Sequence, residues 1–443
     1  MHEKIIVVVD LGTSQITAVA AQKNDRDVLT VLAVRTTKAD GCILRGRIYN
    51  VKEVTSKVES LVSYLEGKLD ATIDKIYVGV GGQSVRATPH TIIRELEEET
   101  VSKRLLDNIQ EECLNSEPEG VSVLGVCSPE YILDGRYEQN PKGVQCQKIE
   151  VRYQLIVGRP SYERDLVSIE KHSGIQIEGR IPSIEAAAAA VLSSAEKEFG
   201  CVLVDFGAGT TSIAIYKNHL LKFYTTLPIG SDAITKDLTS LNMTEEEAEA
   251  YKTSQGEVTA TEEQKENQII EARIDEILTN IVTQIKHAGF EAIPAEGMVI
   301  VGGGAQMNGL AESIQDRLKC KVRVACAQNS LFIQEELLTS SPQYAQIVGL
   351  LALAKNNCAT INVEKPKEEE RDLFGSTTIV DTTNTSKGDT IKPGTGEDPP
   401  VVVGGRGTGR PPKKGPIGSL FDKLVDKVEK AGEAFYKEDD NIN

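Results

Sequence analysis

A motif that occurs twice constrains this chain more than any other feature. Ile5–Val9, a continuous β-branched run, ends at Asp10-Leu11-Gly12-Thr13-Ser14, and a second apolar stretch, Ile16–Ala21, follows at once. The same order returns as Cys201–Val204, then Asp205-Phe206-Gly207-Ala208-Gly209-Thr210-Thr211, then Ser212–Tyr216. An unbroken apolar run of this length suits a strand covered on both faces. A glycine between two such runs marks a turn between returning strands. Two copies of strand, turn and strand imply two related lobes, and 443 residues are too many for one ordinary domain.

Between the copies, Val51–Leu69 has helical spacing and Lys75–Gly82 is a strand running into glycines. The stretch 83–159 mixes Pro, Gly and short apolar alternations such as Val121–Val126, which suits a small inserted α/β unit. Tyr162–His172 returns to helical spacing, and Ser183–Ser194 holds five consecutive alanines, Ala186–Ala190, on a helix able to approach a neighbour closely. Beyond the second copy, the apolar stripe Ile269–Ile285 predicts one long helix leading to a third strand-glycine turn at Met298–Gly304. From about Val363 to Pro416 the composition shifts to Pro, Gly, Thr, Lys and Glu, too poor in apolar residues to build a core. Leu420, Phe421, Leu424, Val425 and Val428 then fall on one face of an amphipathic helix.

Composition narrows the function. A net charge of −17 opposes the phosphate-neutralising face that nucleic-acid binding needs, so nucleic acid is not an expected partner. No run of about 18 apolar residues could span a bilayer. Met1–Lys4 leads into five apolar residues closed by Asp10, so no secretory leader and a cytoplasmic location are expected. The eight cysteines are scattered with no C-x-x-C pair and read as reduced thiols.

A phosphate is cradled by backbone N–H groups brought close with no side chains in the way, and Gly12-Thr13 and Gly207-Ala208-Gly209-Thr210 supply such turns. The hydroxyls of Thr13, Ser14, Thr210 and Thr211 add donors. Asp10 and Asp205 would repel a phosphate unless a divalent cation intervened, so their presence in both turns implies Mg²⁺, held through water, and ATP arriving as its magnesium complex. One D-x-G-T alone is usually only a turn. Three glycine turns, each after a β-branched strand and with no Walker A or G-x-G-x-x-G rival, carry the inference.

In that order Asp10–Gln15, Asp205–Thr211 and Val299–Ala305 resemble the phosphate-1, phosphate-2 and adenosine loops of the actin and heat-shock chaperone ATPase superfamily, in which two ribonuclease-H-like lobes close on a nucleotide. The resemblance implies contacts from Gly12, Thr13, Ser14, Gln15, Gly207, Ala208, Gly209, Thr210, Thr211, Gly302, Gly303, Gly304 and Ala305. Ala248–Lys252 is similar to the adenosine-side helix, placing Glu249 and Lys252 near ribose and base; a solvated charged face accounts for the same residues equally well. Gly230 resembles the turn before the second lobe's inner helix, with Ser231 where a second glycine is usual.

Ile76–Gln83, Pro129–Gly135 and Asn140–Val144 are similar to stretches of the bacterial cell-division family FtsA, where an inserted subdomain replaces an outer subdomain of actin. The resemblance covers about residues 4–355 by motif and the tail by architecture. It implies a first lobe from 1–82 and 160–200, an insertion at 83–159, a second lobe at 201–358 with its outer part at about 231–290, a disordered linker at 359–416 and a membrane-targeting helix at 417–437. It further implies a protein that polymerises with copies of itself on the inner face of the cell membrane at the division site. There it would tether FtsZ filaments, binding the FtsZ C-terminal tail through the second lobe, and recruit later divisome proteins through the insertion. The tail's polar face alternates Lys with Asp and Glu, so attraction to anionic lipid would depend on Arg406, Arg410, Lys413 and Lys414 just upstream.

Superfamily ATPases position the attacking water with a Gln or Glu on the helix before the second phosphate loop. Here Ser183 lies near that position and Glu185 is offset by about two residues, where a packed or capping role suits it equally. Asp10, Asp205 and Glu185 are therefore the candidate catalytic groups of at most a slow ATPase, with nucleotide binding better supported than turnover. Two alternatives stay open: an FtsA-like pilus-assembly scaffold, and a small-molecule kinase of the same lobe design, for which no motif here supplies an acceptor pocket.

Overall fold

The apolar runs read from the sequence form strands buried on both faces, and their pairing repeats. In the computed structural model, which describes residues 4–259, 264–328 and 336–362, Lys4–Leu11 pairs antiparallel with Gln15–Lys23, which pairs antiparallel with Leu29–Lys38. On its other side Lys4–Leu11 runs parallel to Lys75–Val80, and that strand runs parallel to Gln176–Pro182. The second five-stranded sheet has the same order and the same senses: Leu220–Leu227, Thr211–Lys217, Cys201–Phe206, Met298–Val301 and Val322–Val324. The expected linker beyond 362 and the helix at 417–437 lie outside the described residues.

Parallel neighbours need a crossover, and a helix supplies it in each sheet. Val51–Leu69 buries Val54, Val58, Leu61, Val62 and Leu65, and starts where Asn50 Oδ1 accepts the Glu53 N–H at 3.2 Å. Lys265–His287 buries Ile270, Ile274, Ile277, Leu278, Ile281 and Ile285 against the second sheet. These spacings of three and four residues are what one helical face requires.

Between Lys75–Val80 and the helix Pro160–Ser173 lies a separate antiparallel sheet of Arg136–Tyr137, Ser122–Leu133, Gln145–Gly158 and Arg86–Thr100. The helix Lys103–Leu114 covers it, and Ile92, Ile109, Ile149, Val151 and Leu155 form its own core. Lys222 of the second sheet pairs with Glu130 of this unit at 3.5 Å.

Near its described end the chain returns to the first lobe. The helix Ala345–Leu353, counted with the second lobe on sequence order, packs on the alanine-rich helix Ser183–Val191 so closely that a Cβ on Gly349 would stand 1.7 Å from the Ala186 carbonyl oxygen. Ala359–Ile361, read as the start of the linker, is a strand paired with Ala71–Ile73, and the Cys358 N–H donates to Ile5 O at 2.8 Å. The alternation of Ala359, Thr360 and Ile361 is short enough to be masked by the polar composition that follows it. All eight cysteines are free, six of them buried, and among the described residues no helix is long and apolar enough to cross a membrane.

Candidate functional site

Because the two sheets repeat, their first hairpins bring equivalent loops to the same end of each sheet. Asp10 and Asp205 are the matching positions, paired across their hairpins with Thr17 and Ser212. In the first loop Thr13 Oγ1 accepts the Gly46 N–H at 2.9 Å and the Ser14 carbonyl accepts from Ala39 at 2.9 Å. Gly12 must lack a side chain, since a Cβ there would lie 2.6 Å from Gln15 O. In the second loop the Gly207 N–H donates to Thr210 O at 3.0 Å, and the Thr211 hydroxyl donates to Ile229 O at 2.8 Å. The loops meet: a Cβ on Gly209 would come within 2.7 Å of the Thr13 side chain.

These loops floor a cleft of about 980 Å³. The third turn closes one wall, where Gly302, at φ +92°, leaves room for Asp205 Oδ1, which a Cβ would approach to 2.5 Å. The helix Glu245–Ser254 forms the opposite wall with Glu245, Glu246, Glu249 and Lys252. Six carboxylates (Asp10, Asp205, Asp232, Glu245, Glu246 and Glu249) face it against two lysines, Lys38 and Lys252. Burial pushes the Asp10 carboxyl up to about 6, and burial together with the Asp10 charge pushes Asp205 up to about 7, although the Gln346 amide donates to Asp205. Among the described residues no group of three or more His, Cys, Asp or Glu could cage a metal by itself. Such a pair, Asp205 buried and Asp10 half-buried, fits Mg²⁺, which takes one or two carboxylates and fills its octahedron with water and phosphate.

Comparison with known proteins bears on the whole of this arrangement. The profile of the family described as "Cell division protein FtsA" matches residues 202–349. Cell division protein FtsA of Porphyromonas gingivalis is 31% identical over 333 residues, 69% of each chain. This chain belongs to the FtsA family. The FtsA of Bacillus subtilis is 29% identical over 80% of this chain and 84% of its own. A solved structure titled "PilM-PilN type IV pilus biogenesis complex" covers 78% of this chain and 97% of its own with a TM-score of 0.55 at 14% identity, a likeness of fold alone. The α/β fold of two related lobes expected from the sequence is the actin-like fold of this FtsA-family chain.

Most of the residues singled out on the sequence of this FtsA relative line the cleft: Asp10, Gly12, Thr13, Ser14, Gln15, Asp205, Gly207, Ala208, Thr210, Glu249, Lys252, Gly302, Gly303 and Gly304. Gly209, Thr211, Gly230 and Ala305 stand behind it. Gly209 packs on the first loop and Thr211 is fully buried. A Cβ on Gly230 would meet Ala208 O at 2.4 Å, and Ala305 is buried in the third turn. Glu185 is not at the cleft. Ser183 lines it, and two residues further along an α-helix lie about 200° round the axis, on the far face. There burial pushes the Glu185 carboxyl up to about 7, with the Lys197 ammonium opposing, and its charge is felt by Tyr216.

Sequence reasoning missed Lys38, Ser212, Thr235, Gln343 and Gln346, all of which face the cleft. Gln346 had a signal, being the lone strongly polar residue in Ala345–Leu353, an otherwise apolar helix.

Proposed function

We propose that the cleft binds ATP as its magnesium complex and that nucleotide occupancy controls assembly of this FtsA-family chain. One observation carries the reading: two equivalent glycine loops abut on the floor of the cleft beside the buried Asp205 and the half-buried Asp10. A cleft with six carboxylates and two lysines disfavours a bare polyphosphate, which supports a reading in which Asp10 and Asp205 hold Mg²⁺ through water. The bound cation supplies charge neutralisation; the glycine loops hold the phosphates, and the Glu245–Ser254 helix and Gly302–Gly304 turn flank the nucleoside. With Glu185 on the far face of its helix, binding outweighs turnover.

Family membership supports the wider role. The chain polymerises, holds FtsZ filaments at the inner face of the cell membrane by binding the FtsZ C-terminal tail through the second lobe, and recruits later divisome proteins through the insertion. The amphipathic stretch 417–437 anchors it to anionic lipid through Leu420, Phe421, Leu424, Val425 and Val428. One such stretch, with its slightly acidic polar residues, binds weakly, and polymerisation multiplies it, because linked sites gain avidity without new contacts. Co-sedimentation of the full chain with FtsZ and phosphatidylglycerol-containing liposomes in the presence of ATP tests this. Leu420→Glu or Phe421→Glu releases the chain from liposomes with ATP binding intact. Unchanged liposome sedimentation of both variants would contradict the anchor.

A further inference from the structure

The Glu245–Ser254 helix and the second phosphate loop are separate segments, and one buried side chain joins them. Lys252 is 4% exposed, and its ammonium donates to Glu249 Oε2 at 2.6 Å, Thr235 Oγ1 at 2.9 Å and the Ser231 carbonyl at 3.3 Å. An ammonium has three N–H donors, and these three acceptors use them all. None is left to reach a ribose or a base.

Ser231, whose carbonyl Lys252 holds, grips the loop from its other end. Its N–H donates to Gly207 O at 3.0 Å, and the next N–H, Asp232, donates to Ala208 O at 2.9 Å. The approach is close enough that Gly230, just before, has no room for a side chain against Gly207 O and Ala208 O. Two loop carbonyls, each of which would repel a phosphate, are thereby held by backbone N–H groups of the Ser231 turn.

We propose that Lys252 is a positioning residue for the second phosphate loop, acting through the Ser231 turn and not through a direct contact to the nucleoside. The proposal rests on the ATP reading of the cleft. Glu249 is the cleft-facing end of the relay: its side chain is 49% exposed while it accepts from both Lys252 and the Thr235 hydroxyl, the latter at 2.5 Å.

Lys252→Met keeps the stem of the side chain and removes all three donors. In the ligand-free full chain, hydrogen exchange at the Ser231 and Asp232 amides accelerates about tenfold while Val204 and Ile213 in the neighbouring strands stay protected. In titrations, ADP and ATP with Mg²⁺ weaken about tenfold and adenosine changes by less than about twofold. Equal weakening of all three ligands identifies a direct nucleoside contact and overturns the proposal, as does unchanged exchange at residues 231 and 232. If Lys252→Met does not fold, Thr235→Val removes one acceptor of the relay with little change in shape and gives the same pattern at about threefold. Failure of the unaltered chain to bind any adenine ligand defeats the ATP reading, while the ligand-free exchange comparison still decides the relay.

Discussion

The two glycine loops close equivalent hairpins in the same sheet order, yet they are held in different ways. The first is braced by its own lobe's connection, through Gly46 on Thr13 and Ala39 on Ser14, and turns so tightly that Gly12 sits against Gln15 O. The second is longer, leaves Gly207 a wider margin of 3.1 Å to Thr210 O, and depends on Ser231, Asp232 and behind them Lys252. A duplicated fold thus yields one loop fixed by local geometry and one whose position depends on a distant helix.

The largest effect is expected where the first lobe reaches across to the second. Gly349 lets Ala345–Leu353 lie against Ser183–Val191, and that helix carries Gln346 to Asp205. Gly349→Val forces the helices apart and costs about 3 kcal/mol by overpacking, measured by denaturant unfolding; a loss below about 0.5 kcal/mol would refute the close contact. Next comes the contrast between the loops themselves. Gly12→Ala places a Cβ 2.6 Å from a backbone oxygen and Gly207→Ala places one at 3.1 Å. ATP affinity is expected to fall about thirtyfold in the first and about threefold in the second. Equal losses would erase the distinction between a tight and a yielding loop.

A smaller, pH-dependent effect lies in the joint between the lobes. Glu196 completes a capping box with Ser193 and pairs with Arg323 at 2.7 Å. Burial opposes its ionisation, but the guanidinium and the Ser193 donors outweigh it and hold the carboxyl below its ordinary range. A group depressed in the folded state contributes stability above its unfolded pKa and loses it as pH falls through the folded value. Glu196→Gln therefore costs about 1–2 kcal/mol at neutral pH, and the gap to the unaltered chain closes on acidification. A gap that widens in acid would show the sign to be wrong.

What the sequence made legible follows from period and backbone chemistry. The repeat Ile5–Ala21 and Cys201–Tyr216 located both hairpins because strand burial and glycine turns are written locally. Of the two roles open to Glu185, the packed one matches its position, because an offset of two residues is small along a chain but slightly more than half a turn around a helix. Ala345–Leu353 and Ala359–Ile361 were assigned to later segments because their partners, Ser183–Val191 and Ala71–Ile73, lie far away in sequence. Lys252 was found as a cleft residue, but its bonds to Thr235 and the Ser231 carbonyl were not, because those partners lie in an earlier segment and a lysine looks the same on the sequence whatever its donors meet.

The central claim is that the two aspartates and the two loops form one magnesium-nucleotide site. Calorimetric titration of the full chain with ATP, with and without Mg²⁺, tests it most directly when repeated on Asp10→Asn and Asp205→Asn. The account predicts one saturable site that requires Mg²⁺ and weakens about a hundredfold in either variant. Absence of binding, or binding equally tight without Mg²⁺ and in both variants, would contradict it.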